Sequence, residues 1–299
     1  MASLFGEHFD RAAPESRLEV PPFSVLNARE ASWQNRKRAW LRAGVDGRYD
    51  VRNGVFDHES DTEPLGYVAS RGFDPVLAEC MIDWFTAPGD RVLDPFAGGI
   101  TRGAVAGLMR RGYLGVDVRE QQVEANVQAV ASLGLSSVEY QAADSASFLR
   151  TLAPGSFDFV LTCPPYGDLE RYSDDPRDLS TMRYESFLPA YEAVIGSTLR
   201  ALRDDRFAVF VVGDFRQRAG FTSIRGPLCP LTSDTVAIAA RHGALLYNTA
   251  ILVTPTGTLA GRASFQFGAT RKLGMAHQTA LCFIKGDWLK ASKRVASGQ

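Results

Sequence analysis

The chain is 299 residues long and nearly charge-balanced, with 33 Lys and Arg against 34 Asp and Glu and a formal net charge of -1, so no global basic field marks it as a non-specific binder of nucleic acid, although a local basic cleft is compatible with that balance. Hydrophobic residues make up 45% of it, which at this length suits one large α/β domain with insertions, or one domain plus a small appendage. Cys80, Cys163, Cys229 and Cys282 are widely spaced, with no Cys-x-x-Cys and no Cys/His cluster, and there is neither a signal-peptide pattern nor a long apolar run; a disulfide framework, a metal site and a membrane role are therefore not expected, and a reducing cytoplasm is.

Residues 1–20 are polar and mixed and are expected to be loose. After Pro21-Pro22-Phe23, Trp33, Arg36, Lys37 and Trp40 fall at helical spacing. The plain reading is an amphipathic helix whose tryptophans pack on the domain while its charges face water; the functional one is a basic helix near DNA or a cofactor entrance. Gly, Asp and Ser dominate residues 44–70, a linker or flexible loop. The expected division is an N-terminal extension over 1–70, a catalytic domain over 71–290 and a tail over 291–299. Val76, Leu77, Met81, Ile82, Trp84 and Phe85 predict a helix that ends at Pro88-Gly89. Strands near 91–94, 113–117, 138–142 and 157–162 then alternate with helices, which argues for a doubly wound, mostly parallel sheet. A helix over Ser186–Leu202, a strand over Phe207–Val212, a helix near 232–242 and two last strands near 246–253 and 279–285 complete the series. Two stretches interrupt it as long loops: 213–230, with Arg216, Arg218 and Arg225, and 254–276, with Arg262, Arg271 and Lys272 and no acid. An acid-free basic loop can neutralise phosphates, or it can be a plain solvated surface.

Two motifs carry the chemistry. Val92-Leu93-Asp94-Pro95-Phe96-Ala97-Gly98-Gly99 is an apolar strand running into an acid and a glycine-bearing loop, followed by a helix-like run over 103–111. Such glycines turn the chain tightly and let a ligand approach the backbone. Tyr113-Leu114-Gly115-Val116-Asp117 ends in a second acid at about the 20-residue spacing of a ribose-binding carboxylate in nucleotide-type α/β folds. Asp144 closes the run Val138-Glu139-Tyr140-Gln141-Ala142. Acids at three consecutive strand ends would face one crevice. Further on, Phe159-Val160-Leu161 runs through Thr162 into Cys163-Pro164-Pro165-Tyr166. Two prolines stiffen the backbone and offer no N–H, which leaves its carbonyls free to accept. With Tyr166 alongside, the corner can grip a flat group bearing an NH₂, such as a nucleobase; a plain proline turn is the alternative.

Together these motifs resemble S-adenosylmethionine-dependent DNA amino-methyltransferases, of the kind found in phages and prophages as DNA modification methylases. Asp94-Pro95-Phe96-Ala97-Gly98-Gly99 resembles the family's cofactor loop, Cys163-Pro164-Pro165-Tyr166 its catalytic tetrapeptide, and Phe73-Asp74-Pro75-Val76-Leu77 the segment that packs under the methionine end of the cofactor. The resemblance implies a seven-stranded class I, Rossmann-like sheet with an antiparallel edge hairpin, S-adenosylmethionine as cofactor, double-stranded DNA as partner and no metal. The implied cofactor contacts are Asp117 for the ribose hydroxyls with Val118 beside it, Asp144 and Ser145 at the adenine amine, Asp94, Pro95, Phe96 and Gly98 around the methionine portion, and Phe73 and Asp74 beneath it. Asp74 and Asp144 also read as helix caps, and Asp214 as either a pocket residue or a turn former. The implied DNA contacts are Arg216, Arg218, Arg262, Arg271 and Lys272, and the segment Arg171–Pro176 is expected to close over cofactor and base, with an ordinary polar connection as the alternative.

An exocyclic amine is a poor nucleophile because its lone pair is delocalised into the ring, so acceptors must hold its hydrogens while the lone pair turns toward the methyl. In the resembled family the first residue of the tetrapeptide and the next carbonyl do this, which here gives Cys163 and the Pro164 carbonyl, with Tyr166 stacked on a flipped base. Residue 163 departs from the family's usual Asp, Asn or Ser, and a thiol is a weaker acceptor. Three readings stand: Cys163 replaces Ser and leans toward cytosine N4; the Pro164 carbonyl is the main acceptor; or Cys163 is a nucleophile toward a pyrimidine ring. Against the third, carbon methyltransferases carry their cysteine after the prolines. The expected activity is methyl transfer to cytosine N4 or adenine N6 of DNA. The alternatives are an RNA or protein-glutamine methyltransferase using the same corner, and a catalytically impaired subunit that recognises DNA.

Overall fold

The computed structural model describes residues 20–45, 51–52, 55–56, 72–167, 171–218, 225–254 and 259–298. The stretch read as a loose terminus and most of the stretch read as a linker lie outside the described residues. Among the described residues eight strands form the main sheet: β1 (Val25–Asn27), β2 (Arg91–Asp94), β3 (Gly112–Asp117), β4 (Val138–Ala142), β5 (Phe159–Thr162), β6 (Arg206–Val212), β7 (Ala244–Val253) and β8 (His277–Lys285). Their order is β1-β7-β8-β6-β5-β2-β3-β4. Strands β2 to β6 pair in parallel, and β8 lies antiparallel to both β6 and β7. This is the doubly wound arrangement with an antiparallel pair at one side, extended by one strand beyond the expected seven. The added β1 runs parallel to β7, from Val25↔Ile251 to Asn27↔Val253; three residues are too few to leave a period in the sequence.

The helices are α1 (Ala31–Arg42), α2 (Pro75–Phe85), α3 (Thr101–Leu108), α4 (Glu120–Ser132), α5 (Ser145–Phe148), α6 (Tyr184–Ala201), α7 (Leu231–Arg241), α8 (Leu259–Thr270) and α9 (Trp288–Gly298). Alternate strand residues feed two cores. Val92, Phe159, Leu161, Val209 and Val211 pack with α1, α2, α3 and α9 on one face. Leu93, Val160, Ala208, Phe210 and Val212 pack with α6 and α7 on the other. Burial on both faces is why these strands read as continuous apolar runs.

Three expectations are corrected here. The tryptophans of α1 do pack on the domain, but Arg36 and Lys37 are buried with them instead of facing water, while Arg42 is exposed. Arg36 Nε donates to both oxygens of Glu79 at 3.1 and 2.9 Å, and Trp40 Nε1 donates to the same carboxylate at 2.6 Å. Lys37 Nζ lies 3.3 Å from Asp74. Because α2 turns its acids into this interface, the packed domain takes in residues before position 71. At the other end the expected tail is part of α9, where Ala291 and Val295 are buried and Arg294 is paired with Asp90. Finally, neither interruption is loop alone: 213–230 holds the antiparallel strands Phe215–Arg218 and Arg225–Cys229, and 254–276 holds a helix, α8.

Candidate active site

Strands β2 and β5 are neighbours, with Val92↔Phe159 and Leu93↔Val160 in register. The glycine loop after β2 and the diproline corner after β5 therefore leave the same edge of the sheet. Thr162 Oγ1 donates to Asp94 Oδ1 at 2.6 Å, joining the last residues of the two strands. Asp94 is fully buried. Its Oδ1 also accepts from the Phe96 amide at 3.1 Å, and its Oδ2 accepts from Arg102 Nε at 2.5 Å and the Tyr113 hydroxyl at 2.7 Å. Arg102, on α3, continues through Nη2 to the carbonyls of Phe96 and Ala97 at 2.7 and 3.0 Å, and its guanidinium lies 4.6 Å from the centre of the Phe73 ring. Burial works against the Arg102 charge, but Asp94 beside it more than offsets this and holds its pKa above the ordinary value. Burial, reinforced by Asp94, pushes the Tyr113 hydroxyl well up. The Asp94 carboxylate, expected beside a ligand, is thus engaged with protein donors and anchors the loop from below.

Above that anchor the loop opens. Gly98 has φ +51°, and nothing lies within 4 Å of where a Cβ would stand. Its amide donates to Asp117 Oδ2 at 2.9 Å and its carbonyl accepts from Asn126 Nδ2 at 2.7 Å. Asp117 is half-buried at the end of β3, with Val118 half-buried after it, and its Oδ1 accepts from the Arg119 amide at 2.9 Å and Arg119 Nε at 3.3 Å. An open glycine turn beside a strand-end carboxylate suits the ribose of a nucleoside. Ser145 Oγ donates to the Pro95 carbonyl at 2.6 Å and ties the end of β4 to this loop.

Three acids accept amides in the first turns of helices. Asp144 accepts from the Ala146 and Ser147 amides at 3.2 and 3.0 Å. Asp74 accepts from the Val76 and Leu77 amides at 2.9 and 3.3 Å and from Trp33 Nε1 at 3.2 Å. Asp214 accepts from the Thr232 amide at 2.9 Å, in the first turn of α7.

At the corner Pro164 is buried, while Cys163, Pro165 and Tyr166 are half-buried. Cys163 Sγ lies 3.7 Å from the Tyr166 hydroxyl, which accepts from Gln278 Nε2 at 3.1 Å. Burial raises the Tyr166 pKa well above its ordinary value, so the ring stays neutral. Tyr166 opens a series of rings: Phe215 at 6.3 Å, then Tyr184 at 5.6 Å, Phe187 at 6.0 Å, Tyr191 at 5.2 Å and Phe96 at 6.0 Å between successive centroids. The corner and the glycine loop are therefore joined through an aromatic wall as well as through the sheet. Beyond the corner, the Tyr172 ring lies 5.4 Å from the Arg119 guanidinium, so this segment reaches back to the Asp117 side.

Of the basic residues singled out in the sequence, Arg216 is half-buried in the hairpin Phe215–Arg218 with Arg225–Cys229, and Arg271 and Lys272 follow α8. The side chains of Arg218 and Arg262 lie outside the described residues. Sequence reasoning missed Arg102, Gln278 and the aromatic series. A lone arginine among small residues, Thr101-Arg102-Gly103-Ala104, was the available signal for the first; Gln278 carried none. Among the described residues no group of three or more His, Cys, Asp or Glu could hold a metal ion, and no helix is long and apolar enough to cross a membrane.

Residues 71–128 match a family described as DNA methylase. No curated protein matches the chain. Among solved structures, TrmN from Thermus thermophilus is 19% identical with a TM-score of 0.47 over 72% of this chain, which spans 50% of TrmN. A TehB-like SAM-dependent methyltransferase from Corynebacterium glutamicum ATCC 13032 is 16% identical with a TM-score of 0.42, over 70% of this chain and 86% of that one. The [4+2]-cyclase SpnF is 14% identical with a TM-score of 0.50, over 85% of this chain and 96% of that one. The strand order, with the likeness to SpnF, gives the protein the class I, Rossmann-like methyltransferase fold, which hosts more than one kind of reaction.

Proposed function

We propose that the protein transfers a methyl group from S-adenosylmethionine to an exocyclic amine of a DNA base, cytosine N4 or adenine N6. The observation that carries this reading is the Thr162–Asp94 hydrogen bond of 2.6 Å, which fastens the diproline corner and the glycine loop to adjacent strand ends. The DNA methylase match over residues 71–128 supports DNA as the target. The cofactor, when bound, supplies a methyl already activated on a sulfonium. Asp117 holds the ribose hydroxyls, and the bare Gly98 backbone gives the cofactor room. The Pro164 carbonyl and the Cys163 sulfur accept the hydrogens of the target amine and leave its lone pair turned outward. Tyr166 offers its face to the base, and Phe215 helps exclude water from the corner.

Incubating the protein with methyl-labelled S-adenosylmethionine and duplex DNA, RNA or protein tests this, with nucleoside mass spectrometry to find the modified atom. The expected product is N4-methylcytosine or N6-methyladenine in DNA. Label confined to RNA or to protein glutamine, or cofactor binding without any transfer, would replace the reading. A second expectation concerns Asp117→Ala. Loss of charge-assisted hydrogen bonds to the ribose should weaken cofactor binding about 10–100-fold by calorimetry. An unchanged affinity would remove Asp117 from this role.

A further inference from the structure

The segment between β7 and β8 carries a helix that the core does not use. No described side chain of α8 is buried. Phe265 is 82% exposed and Phe267 42%, and just beyond the helix Leu273 is 78% and Met275 42% exposed. A helix of this length whose described side chains are unburied is marginal in water; Phe265 and Phe267, two positions apart, stand on opposite flanks of it, and exposed apolar groups this close along the chain mark a contact segment. Charge narrows the occupant. No Asp or Glu occurs between Asp234 and Asp287, whereas Arg262, Arg271 and Lys272 lie in or next to the helix. The Arg271 guanidinium sits 5.3 Å from the centre of the Phe267 ring. The surface therefore suits a polyanion that also presents flat apolar faces.

Its position ties it to the corner. Val253 pairs with His277 and Thr279 pairs with Val212, so the segment rises from the edge at which β6 delivers Asp214. Between those pairs, Gln278 donates to the Tyr166 hydroxyl at 3.1 Å.

We infer that α8 and the residues after it form a stacking wedge for DNA: Phe265 and Phe267 lie against unpaired bases next to the target, while Arg271 and Lys272 meet the phosphates. This rests on the DNA amino-methyltransferase reading above and extends it to the state of the strand. A paired duplex offers base edges in its grooves and keeps the faces covered. An unpaired strand exposes the faces to aromatic side chains. Bringing a base to Tyr166 opens the stack in any case, and an apolar wedge can fill the gap. DNA that is single-stranded or mismatched around the target is thus the preferred form.

Fluorescence anisotropy with a labelled single-stranded DNA oligonucleotide, its fully paired duplex and an RNA of the same sequence tests the wedge. The parent protein is expected to bind the single DNA strand at least about tenfold more tightly than the duplex, and Phe265→Ala/Phe267→Ala to lose about 10–100-fold on the single strand with much less change on the duplex. The Phe265→Tyr/Phe267→Tyr pair should restore the affinity. An unshifted melting temperature confirms that the alanine variant is folded, as unburied side chains predict. Parent-like single-strand binding by the alanine variant overturns the wedge. So does tighter binding of the RNA, or a parent dimer that the variant dissociates in sedimentation, which would make α8 a self-association surface. If no nucleic acid is methylated yet the alanine variant loses strand binding, the proposed reaction fails and the wedge stands. If DNA is methylated and the variant binds strands unchanged, the wedge alone fails.

Discussion

Asp94→Ala is expected to lower the free energy of unfolding by about 3–5 kcal/mol, the cost of removing one partner from a buried ion pair. The setting justifies the upper class of effect. The Asp94 side chain is 0% exposed and Arg102 only 6%. The substitution strands the guanidinium, and it takes an acceptor away from the Thr162 and Tyr113 hydroxyls and from the Phe96 amide. Buried donors that lose an acceptor carry their full desolvation cost. Adding Arg102→Met to Asp94→Ala should recover part of the loss, because an apolar side chain of similar reach needs no counter-charge. A double-mutant cycle from urea unfolding measures that coupling. A loss under about 1 kcal/mol for Asp94→Ala would mean that the guanidinium finds water or another anion and that the anchor is not there. Since this carboxylate fastens both the glycine loop and the strand beneath the corner, the folded fraction of the variant should also bind cofactor and DNA more weakly.

Much of the sheet was legible because its strands are buried on both faces. Phe207–Val212 and Phe159–Leu161 are uninterrupted apolar runs, and their ends in the structure differ from the expected ones by one or two residues. What escaped was of three physical kinds. The ion pairs under α1 join Arg36 and Lys37 to acids on α2, some 40 positions away; no local period distinguishes such cations from solvated ones. The strand-end acids were ambiguous for a different reason. An aspartate before a helix serves a cap and a ligand equally well, and only the amide distances at Asp74 and Asp144 show each one capping, while Asp214 reaches the first turn of α7 from 18 positions earlier in the chain. Helix α8 was hidden by composition: Gly261, Gly268 and Thr270 lower its propensity, and its described side chains form no buried stripe to impose a helical period. The candidate corner was recognisable because its chemistry is local, with Cys163, Pro164, Pro165 and Tyr166 contiguous. The Gln278 that holds Tyr166 comes from a strand 112 positions later.

Cys163 separates the possible chemistries of the corner. Gln278 Nε2 donates to the Tyr166 oxygen, which leaves the Tyr166 hydroxyl hydrogen available to the Cys163 sulfur 3.7 Å away. Sulfur is a weak acceptor, so under the proposed reaction most of the grip on the target amine would fall to the Pro164 carbonyl, which no change at residue 163 removes. Cys163→Ala is therefore expected to slow methyl transfer by about 10–100-fold without abolishing it, equivalent to roughly 1.4–2.7 kcal/mol of transition-state stabilisation. Cys163→Ser, which supplies a better acceptor of similar size, should match or exceed the parent. Single-turnover transfer to DNA under saturating cofactor reads both. Were Cys163 a nucleophile toward a pyrimidine ring, both variants would lose all product, and the denatured parent reaction would contain a protein–DNA adduct by mass. Parent-like rates in both variants would instead leave the sulfur with no part in the reaction and assign the hydrogens of the amine to the backbone carbonyl alone.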